Sequence, residues 1–134
     1  MNRVIGCIIV ILTISTAAIY GQKGKPRLAM KADTVKSDTL EYELLIFDPG
    51  FESWLVTRPS IDHFSKSYYE FKNRLYVTEW NNRYSQPSKY GAIYEDYLDY
   101  RPNIDYGLVL NYRLYNYFQY FEETYKVTLI PGNK

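Results

Sequence analysis

Tyrosine is the residue whose number and spacing first suggest a chemical role. It accounts for 16 of the 134 residues, and all but two of these tyrosines lie between Tyr68 and Tyr125. A buried tyrosine hydroxyl needs a hydrogen-bond partner, so we expect some of the rings to line a surface or a groove. Rings beside carboxylates and amides are typical of surfaces that bind a sugar or a peptide. The alternative is that the rings pack at the rim of a small core with their hydroxyls in water.

Two stretches concentrate such groups. Tyr90–Tyr100 mixes four tyrosines with three acids, and Trp80–Tyr84 (WNNRY) places hydrogen-bonding side chains between two large rings. The alternative for the second stretch is a buried Trp80 whose polar neighbours face solvent or cap a helix, as in any amphipathic helix. The predicted binding residues are Trp54, Trp80, Asn81, Arg83, Tyr84, Tyr94 and Tyr97.

Catalysis would need paired acids, an activated nucleophile or a metal. Two carboxylates roughly 5 to 10 Å apart in an aromatic cleft are the layout of a glycosidase. The acids near aromatic residues are Glu52, Glu70, Glu79, Glu95, Asp96, Asp99 and Asp105. His63 stands next to an acid and near a serine, but triads are assembled across a fold, so we predict an exposed helix residue. Zinc needs three or four ligands and the sequence has one histidine, so no metal, cofactor or catalytic residue is assigned.

The first 21 residues are predicted to be a signal peptide. Arg3 precedes an almost wholly aliphatic run over residues 4–14, and small residues follow; this order is typical of an export signal. Cleavage after Gly21 or Ala18 fits the pattern. An uncleaved anchor is the alternative, but the run is shorter than the roughly 20 residues that span a bilayer. Lipidation at Cys7 is disfavoured because this cysteine precedes the apolar run.

Charge argues against a nucleic-acid partner. The chain has 16 basic and 15 acidic residues; without the leader, which contains Arg3 and no acid, the two numbers are equal. Binding to a phosphate backbone is largely electrostatic, so a neutral domain is a poor candidate for it. Residues 22–38 carry five cations and two acids and almost no large apolar side chains, which predicts a flexible basic tether. Membrane contact is expected only through the N-terminus, if it is retained or lipidated.

A helix over Asn103–Lys126 is expected to organise the domain. Its apolar side chains recur with a period of 3.6 and form one stripe of Leu110, Leu114, Tyr117, Phe118, Phe121 and Tyr125. A second helix is predicted over Ile61–Tyr84, with Ser60 as its N-cap. Its two neighbouring apolar stripes are Phe64, Tyr68, Phe71 and Leu75, and Tyr69, Tyr76, Trp80 and Tyr84. Shorter helices are predicted over Phe51–Val56 and Ala92–Tyr100.

Strands are predicted at the two ends of the domain, over Thr39–Phe47 and Lys126–Ile130, because both segments alternate apolar and polar residues. A two-stranded ribbon is marginally stable alone, so it should lie on the helices. We therefore predict an α+β fold, mostly helical, with two short terminal strands pairing on a core of about three helices. This single domain would span residues 39–131 and end in a tail at 132–134.

Three long phrases support a resemblance to a known family: FDPGFESWL over Phe47–Leu55, SKSYYEFKNRLYVTEWNNRY over Ser65–Tyr84 and NIDYGLVLNYRLYNYF over Asn103–Phe118. Over residues 40–129 the chain resembles a family of uncharacterised exported proteins of Bacteroidetes, a domain of unknown function. The resemblance implies a location in the periplasm or cell envelope of a Gram-negative cell. Members often look like lipoproteins; this chain departs from that pattern because no cysteine follows its apolar run. The family lends no activity.

Two functional hypotheses remain. The first is a small exported binding or structural module of the envelope that contacts a protein or glycan partner through a surface of tyrosine and tryptophan. The second is a hydrolase that acts on carbohydrate or peptidoglycan with a pair of carboxylates. An enzyme needs a concave site where two acids converge, whereas a module needs only an exposed aromatic patch.

Overall fold

The described part of the chain, residues 28–33 and 41–132 of a computed structural model, contains two strands and four helices. In chain order these are β1 (Leu28–Asp33), β2 (Glu41–Ile46), α1 (Phe51–Leu55), α2 (Lys66–Tyr84), α3 (Pro87–Tyr90) and α4 (Gly107–Tyr125). The predicted α+β class with a helical majority is confirmed. None of these helices is long and apolar enough to cross a bilayer. The predicted signal peptide and Cys7 lie outside the described residues.

Helix α4 is the centre of the core, as its apolar period predicts. The stripe is buried from Leu110 to Phe121, and Tyr125 packs half-buried at its end. Helix α2 crosses it and contributes Tyr76 and Trp80, whose rings lie 4.9 and 5.9 Å from the ring of Phe118. Fully burying an aromatic side chain of this kind stabilises the fold by about 1.5–3 kcal/mol, so the contact between α2 and α4 supplies much of the stability.

The partner of strand β2 differs from the sequence prediction. Strand β1 pairs with β2 in antiparallel register, from Leu28 opposite Ile46 to Asp33 opposite Glu41. The prediction that residues 22–38 form a tether is therefore wrong for residues 28–33, and the predicted pairing with Lys126–Ile130 is wrong as well. Leu28 explains the difference, because its side chain is 1% exposed and belongs to the helical core. Leu28 thus fastens the ribbon to the helices, together with the partly buried Met30, Leu44 and Ile46.

Helix α2 starts later than predicted and buries only one of its two apolar stripes. Its N-cap is Ser65, whose hydroxyl accepts a hydrogen bond from the backbone N–H of Tyr68 at 3.2 Å, so Ser60 does not cap it. Phe71 and Leu75 are exposed, although the sequence placed them in a stripe that faces the core. The other stripe is buried at Tyr69, Tyr76 and Trp80, whereas Tyr84 at its end is exposed. Helix α4 packs on the buried face of α2, and Phe71 and Leu75 lie on a face that stays exposed.

Residues 92–100 form no helix, contrary to the prediction, and the short helix α3 lies just before them, where none was predicted. Asn81 of α2 replaces the missing helical hydrogen bonds: its amide donates to the carbonyl oxygen of Leu98 and accepts from the N–H of Leu98, both at 2.9 Å. Trp80 also donates its indole N–H to the carbonyl of Asp96 at 2.9 Å. Buried backbone groups must be paired, and these contacts hold the segment across α2 without a helix.

Candidate functional site

A groove of about 640 Å³ lies between α1, the connection that follows it, the second half of α4 and the segment after α4. Three of its lining residues are aromatic, namely Trp54, Phe64 and Tyr115. Its polar lining residues are Arg58, His63, Asn116, Gln119, Glu122, Glu123, Lys126 and Thr128. Concave sites that combine rings with a few convergent polar groups are the usual form of a small-ligand site.

The first wall of the groove is fixed by a buried carboxylate. Asp48, in the turn after β2, accepts hydrogen bonds from the hydroxyls of Tyr120 and Tyr125, both at 2.7 Å, and from the N–H of Gly50 at 3.1 Å. A buried charge is tolerated only when it is hydrogen-bonded, and here the donors come from α4. Burial and, after it, the hydrogen bond to Asp48 together raise the pKa of Tyr120 to about 12. The Asp48 cluster therefore fixes the start of α1 against α4.

Trp54 of α1 is held on the groove wall by three neighbours. Its indole N–H donates to Glu123 of α4 at 3.1 Å. Phe51, fully buried one turn earlier, lies nearly parallel to it with ring centroids 6.3 Å apart. The guanidinium carbon of Arg58 lies 4.1 Å from the indole centroid on the groove side. A cation over an exposed indole stabilises this arrangement by about 0.5–1 kcal/mol, which leaves Arg58 able to move aside for a ligand.

The opposite wall is the segment after α4, which the sequence predicted to be a strand. Glu122 accepts hydrogen bonds from the N–H groups of Leu129, at 2.6 Å, and Ile130, at 3.3 Å. Arg83 of α2 donates to the carbonyl of Thr128 at 2.7 Å. Lys126 ends the helix in the left-handed conformation, with φ of 55°, so the chain turns back along α4. Side chains of α2 and α4 thus form hydrogen bonds with backbone groups that would otherwise pair with a neighbouring strand.

The charges inside the groove cancel formally. Its lysine and arginine side chains are Lys126 and Arg58, and its two acids are Glu122 and Glu123. Both acids already accept hydrogen bonds, from backbone amides and from the indole of Trp54 respectively. Neither cation forms a salt bridge with any residue of the described ranges. The groove therefore has no strong potential of either sign.

The sequence profile of one known family, described as a family of unknown function (DUF6146), matches residues 3–131. The chain belongs to the DUF6146 family. No curated protein and no solved structure matches the chain. The resemblance to a domain of unknown function, found in the sequence, is thus confirmed at the level of the family, and membership supplies no activity.

Four of the seven predicted binding residues of this DUF6146 chain stabilise its fold. Trp80 and Tyr94 are buried, with ring centroids 5.1 Å apart. Asn81 is engaged with the backbone of Leu98. Arg83 donates to Glu79 at 2.6 Å and to the hydroxyl of Tyr94 at 3.0 Å. These side chains join α2 to the segments that follow it, so most of their ring surface and hydrogen-bonding groups are already engaged within the fold.

Of the other three predicted residues, Trp54 lines the groove and two form a separate surface. Tyr84 and Tyr97 are 40% and 61% exposed, and their rings meet edge to face with centroids 6.1 Å apart. They provide the exposed aromatic pair that the tyrosine count suggested. Neither lines the groove, so the described chain offers a second aromatic surface apart from the groove.

The acids that the glycosidase hypothesis named do not converge in the groove, because none of the seven lines it. Five of them pair with a cation: Glu52 with Arg113, Glu79 with Arg83, Asp99 with Arg101, and both Asp105 and Glu70 with Lys66. The hydrogen bond from Arg113 lowers the pKa of Glu52. Glu70 lies 4.0 Å from Lys66. Within residues 28–33 and 41–132, no three His, Cys, Asp or Glu side chains are arranged to hold a metal.

Sequence reasoning missed most of the groove. It assigned no role in a site to Asp48, Glu122 or Glu123. His63 is exposed, as predicted, but it stands in the turn before α2 instead of on a helix, with its ring 4.4 Å from that of Phe64. A usable signal was available at the end of α4, where two glutamates precede an apolar segment whose backbone amides need acceptors.

Proposed function

We propose that this DUF6146 chain is an exported binding module of the cell envelope or periplasm of a Gram-negative bacterium, and that its groove holds a protein or glycan partner. The main support is the groove itself, which gathers the rings of Trp54, Phe64 and Tyr115 and several planar polar side chains around one concavity. A volume of about 640 Å³ falls within the range of roughly 300–1,000 Å³ that is usual for ligand sites.

The rigidity of the groove walls supports a binding role. Asp48 fixes α1 to α4 through two tyrosine hydroxyls, and Glu122 fixes the segment opposite. A preformed site loses less side-chain and loop freedom when a partner binds, which favours affinity. Trp54 is held in place on one wall by Phe51 and Glu123, so the largest ring of the groove is presented in a fixed orientation.

The location is proposed from the N-terminal leader. Its cation, apolar run and small residues follow the order of an export signal, and the match to the family profile begins at residue 3, so it includes this segment. Fractionation of the native cell with an antibody against the chain tests export: recovery with the periplasm or envelope is expected, and recovery with the cytoplasm would exclude an envelope role.

Photo-crosslinking in the native cell tests the binding role. Thr128 is exposed and lines the groove, so benzoylphenylalanine in its place puts a reactive group at the mouth. The same group in place of Thr78, exposed on α2 outside the groove, is the matched control, and a third at Tyr97 samples the other aromatic surface. We expect a discrete adduct at position 128 and none at 78. Adducts at 97 alone would move the site to the Tyr84 and Tyr97 pair, and no adduct at either would refute the binding role.

A hydrolase remains the second candidate, and one observation favours it: Glu122, Glu123 and His63 line the same groove. Glu122 and Glu123 replace the acids that the sequence singled out. Hydrolysis of envelope glycans by the full chain, lost in Glu122→Gln or Glu123→Gln, would establish the enzyme. If the wild-type chain leaves these glycans intact while the crosslink at position 128 forms, the binding module stands.

A further inference from the structure

We infer that the partner in the groove is a short neutral oligosaccharide; this inference rests on the proposed function. The first reason is the chemistry of the polar wall. Glu122, Glu123, Gln119, Arg58 and His63 all carry planar polar groups, and planar groups with two donor or acceptor atoms match pairs of neighbouring hydroxyls. A sugar presents many such pairs, each able both to donate and to accept.

The second reason is charge. The two cations and two acids of the groove cancel formally, so a ligand with a strong charge of either sign would meet a like charge inside the same concavity. Like charges at short range disfavour binding. A neutral ligand meets no such repulsion, and its hydroxyls accept from Arg58 and Lys126 and donate to the two glutamates.

The third reason is the absence of elements that bind peptides in the usual ways. The groove is lined by two helices and irregular segments, and no strand of the described chain reaches it, so an extended peptide has no edge to join. Trp54, Phe64 and Tyr115 instead offer ring surface to the C–H face of a sugar.

The test uses the full chain on an array that carries neutral, acidic and aminated oligosaccharides, followed by calorimetry with the neutral glycan bound most strongly. Two variants make the same change at exposed threonines: Thr128→Trp fills the groove, and Thr78→Trp alters α2 outside it. We expect neutral glycans to be preferred, Thr128→Trp to weaken binding at least about tenfold, and Thr78→Trp to change it by less than about twofold.

Three results would overturn the inference: no neutral glycan bound, a charged glycan bound more tightly than every neutral one, or neutral binding that Thr128→Trp leaves unchanged. Crosslinking at position 128 distinguishes failure of the glycan inference from failure of the proposed binding role. If the array is blank and the adduct at position 128 is a protein, the glycan inference fails and the binding module stands. If the array is blank and no adduct forms, both fail.

Discussion

Replacing either of two tyrosines one turn apart on α4 by phenylalanine should change the stability of the fold in opposite directions. The hydroxyl of Tyr120 donates to the buried carboxylate of Asp48 at 2.7 Å. The hydroxyl of Tyr117 is buried and has no hydrogen-bond partner among the described residues. Both rings belong to the core, with Tyr120 6% exposed and Tyr117 fully buried. Tyr→Phe at either position removes one oxygen and keeps the ring, so the hydrogen-bonding state is the main difference.

The magnitudes follow from those two states. A hydrogen bond to a charged group contributes about 1.5–3 kcal/mol, and Tyr120→Phe should lower the free energy of unfolding by that amount because Asp48 keeps only Tyr125 and the amide of Gly50. A buried hydroxyl without a partner costs about 1–3 kcal/mol. Tyr117→Phe removes this cost and leaves a very small cavity, so it should raise the free energy of unfolding by about 1 kcal/mol. For a domain of this size, 1 kcal/mol corresponds to a Tm change of roughly 4 °C or more.

Urea unfolding of the full chain, followed by tryptophan fluorescence, measures both variants. Equal slopes against urea would show that only stability has changed. We expect Tyr117→Phe to unfold at higher urea than the wild type and Tyr120→Phe at lower urea. A Tyr117→Phe variant as unstable as Tyr120→Phe would mean that the Tyr117 hydroxyl has a partner in the folded protein. The loss of stability in Tyr120→Phe could then not be assigned to its hydrogen bond with Asp48.

Two further predictions concern alkaline pH and the segment after α3. The folded state holds the pKa of Tyr120 at about 12, against 10.0 for the ordinary side chain, so it binds more protons than the unfolded state between these values. The free energy of unfolding should therefore fall as pH rises above 10. Urea midpoints at pH 9 and pH 11 measure this fall, which should be smaller in Tyr120→Phe than in the wild type; an equal fall in both would contradict the prediction. Asn81→Ala leaves both backbone groups of Leu98 without their partner and should lower the free energy of unfolding by about 1–3 kcal/mol. Asn82→Ala, at an exposed neighbouring position, should change it by no more than about 0.5 kcal/mol. Equal urea midpoints for the two variants would refute the role of Asn81 in holding Leu98 against α2.

The helices were predictable where one periodic face is buried. Leu110, Leu114 and Phe118 have the spacing of a helix and lie in the core, so local pattern and tertiary packing agree. Phe71 and Leu75 have the same spacing on α2 and are exposed. The spacing of apolar residues shows that one face of a helix is apolar, but it does not show whether another element packs on that face.

The strands show how tertiary contacts override local pattern. Residues 126–130 alternate like a strand, yet Glu122 and Arg83 bind their backbone. Glu122 belongs to the last turn of α4, and Arg83 comes from α2, far away in the sequence. Leu28 stands among cations and small residues, so the sequence around it shows no strand pattern. Its side chain is nevertheless buried in the core and holds strand β1 there. Neither the pairing of β1 with β2 nor the contact of Arg83 with residue 128 follows from the local order of residues.

The candidate site was predictable only in its composition. Abundant tyrosine and tryptophan correctly indicated aromatic surfaces, and Trp54 does line the groove. The rings and amides of the WNNRY stretch instead bind neighbouring segments, since Trp80 and Asn81 take the backbone groups of residues 96 and 98. A groove is built by segments far apart in sequence, and here a buried Asp48 decides where α1 lies.

The two tryptophans provide the most direct measurement of whether the groove binds. The chain has two of them, one in the groove and one, Trp80, fully buried with its indole N–H on a backbone carbonyl. Each gives one indole N–H signal in a nitrogen–proton correlation spectrum of the full chain. On titration with neutral glycans released from the envelope of the native cell, the signal of Trp54 should shift in a saturable way while that of Trp80 stays in place. A Trp54 signal that never moves, while signals of Tyr84 and Tyr97 do, would contradict the assignment of the groove as the binding site.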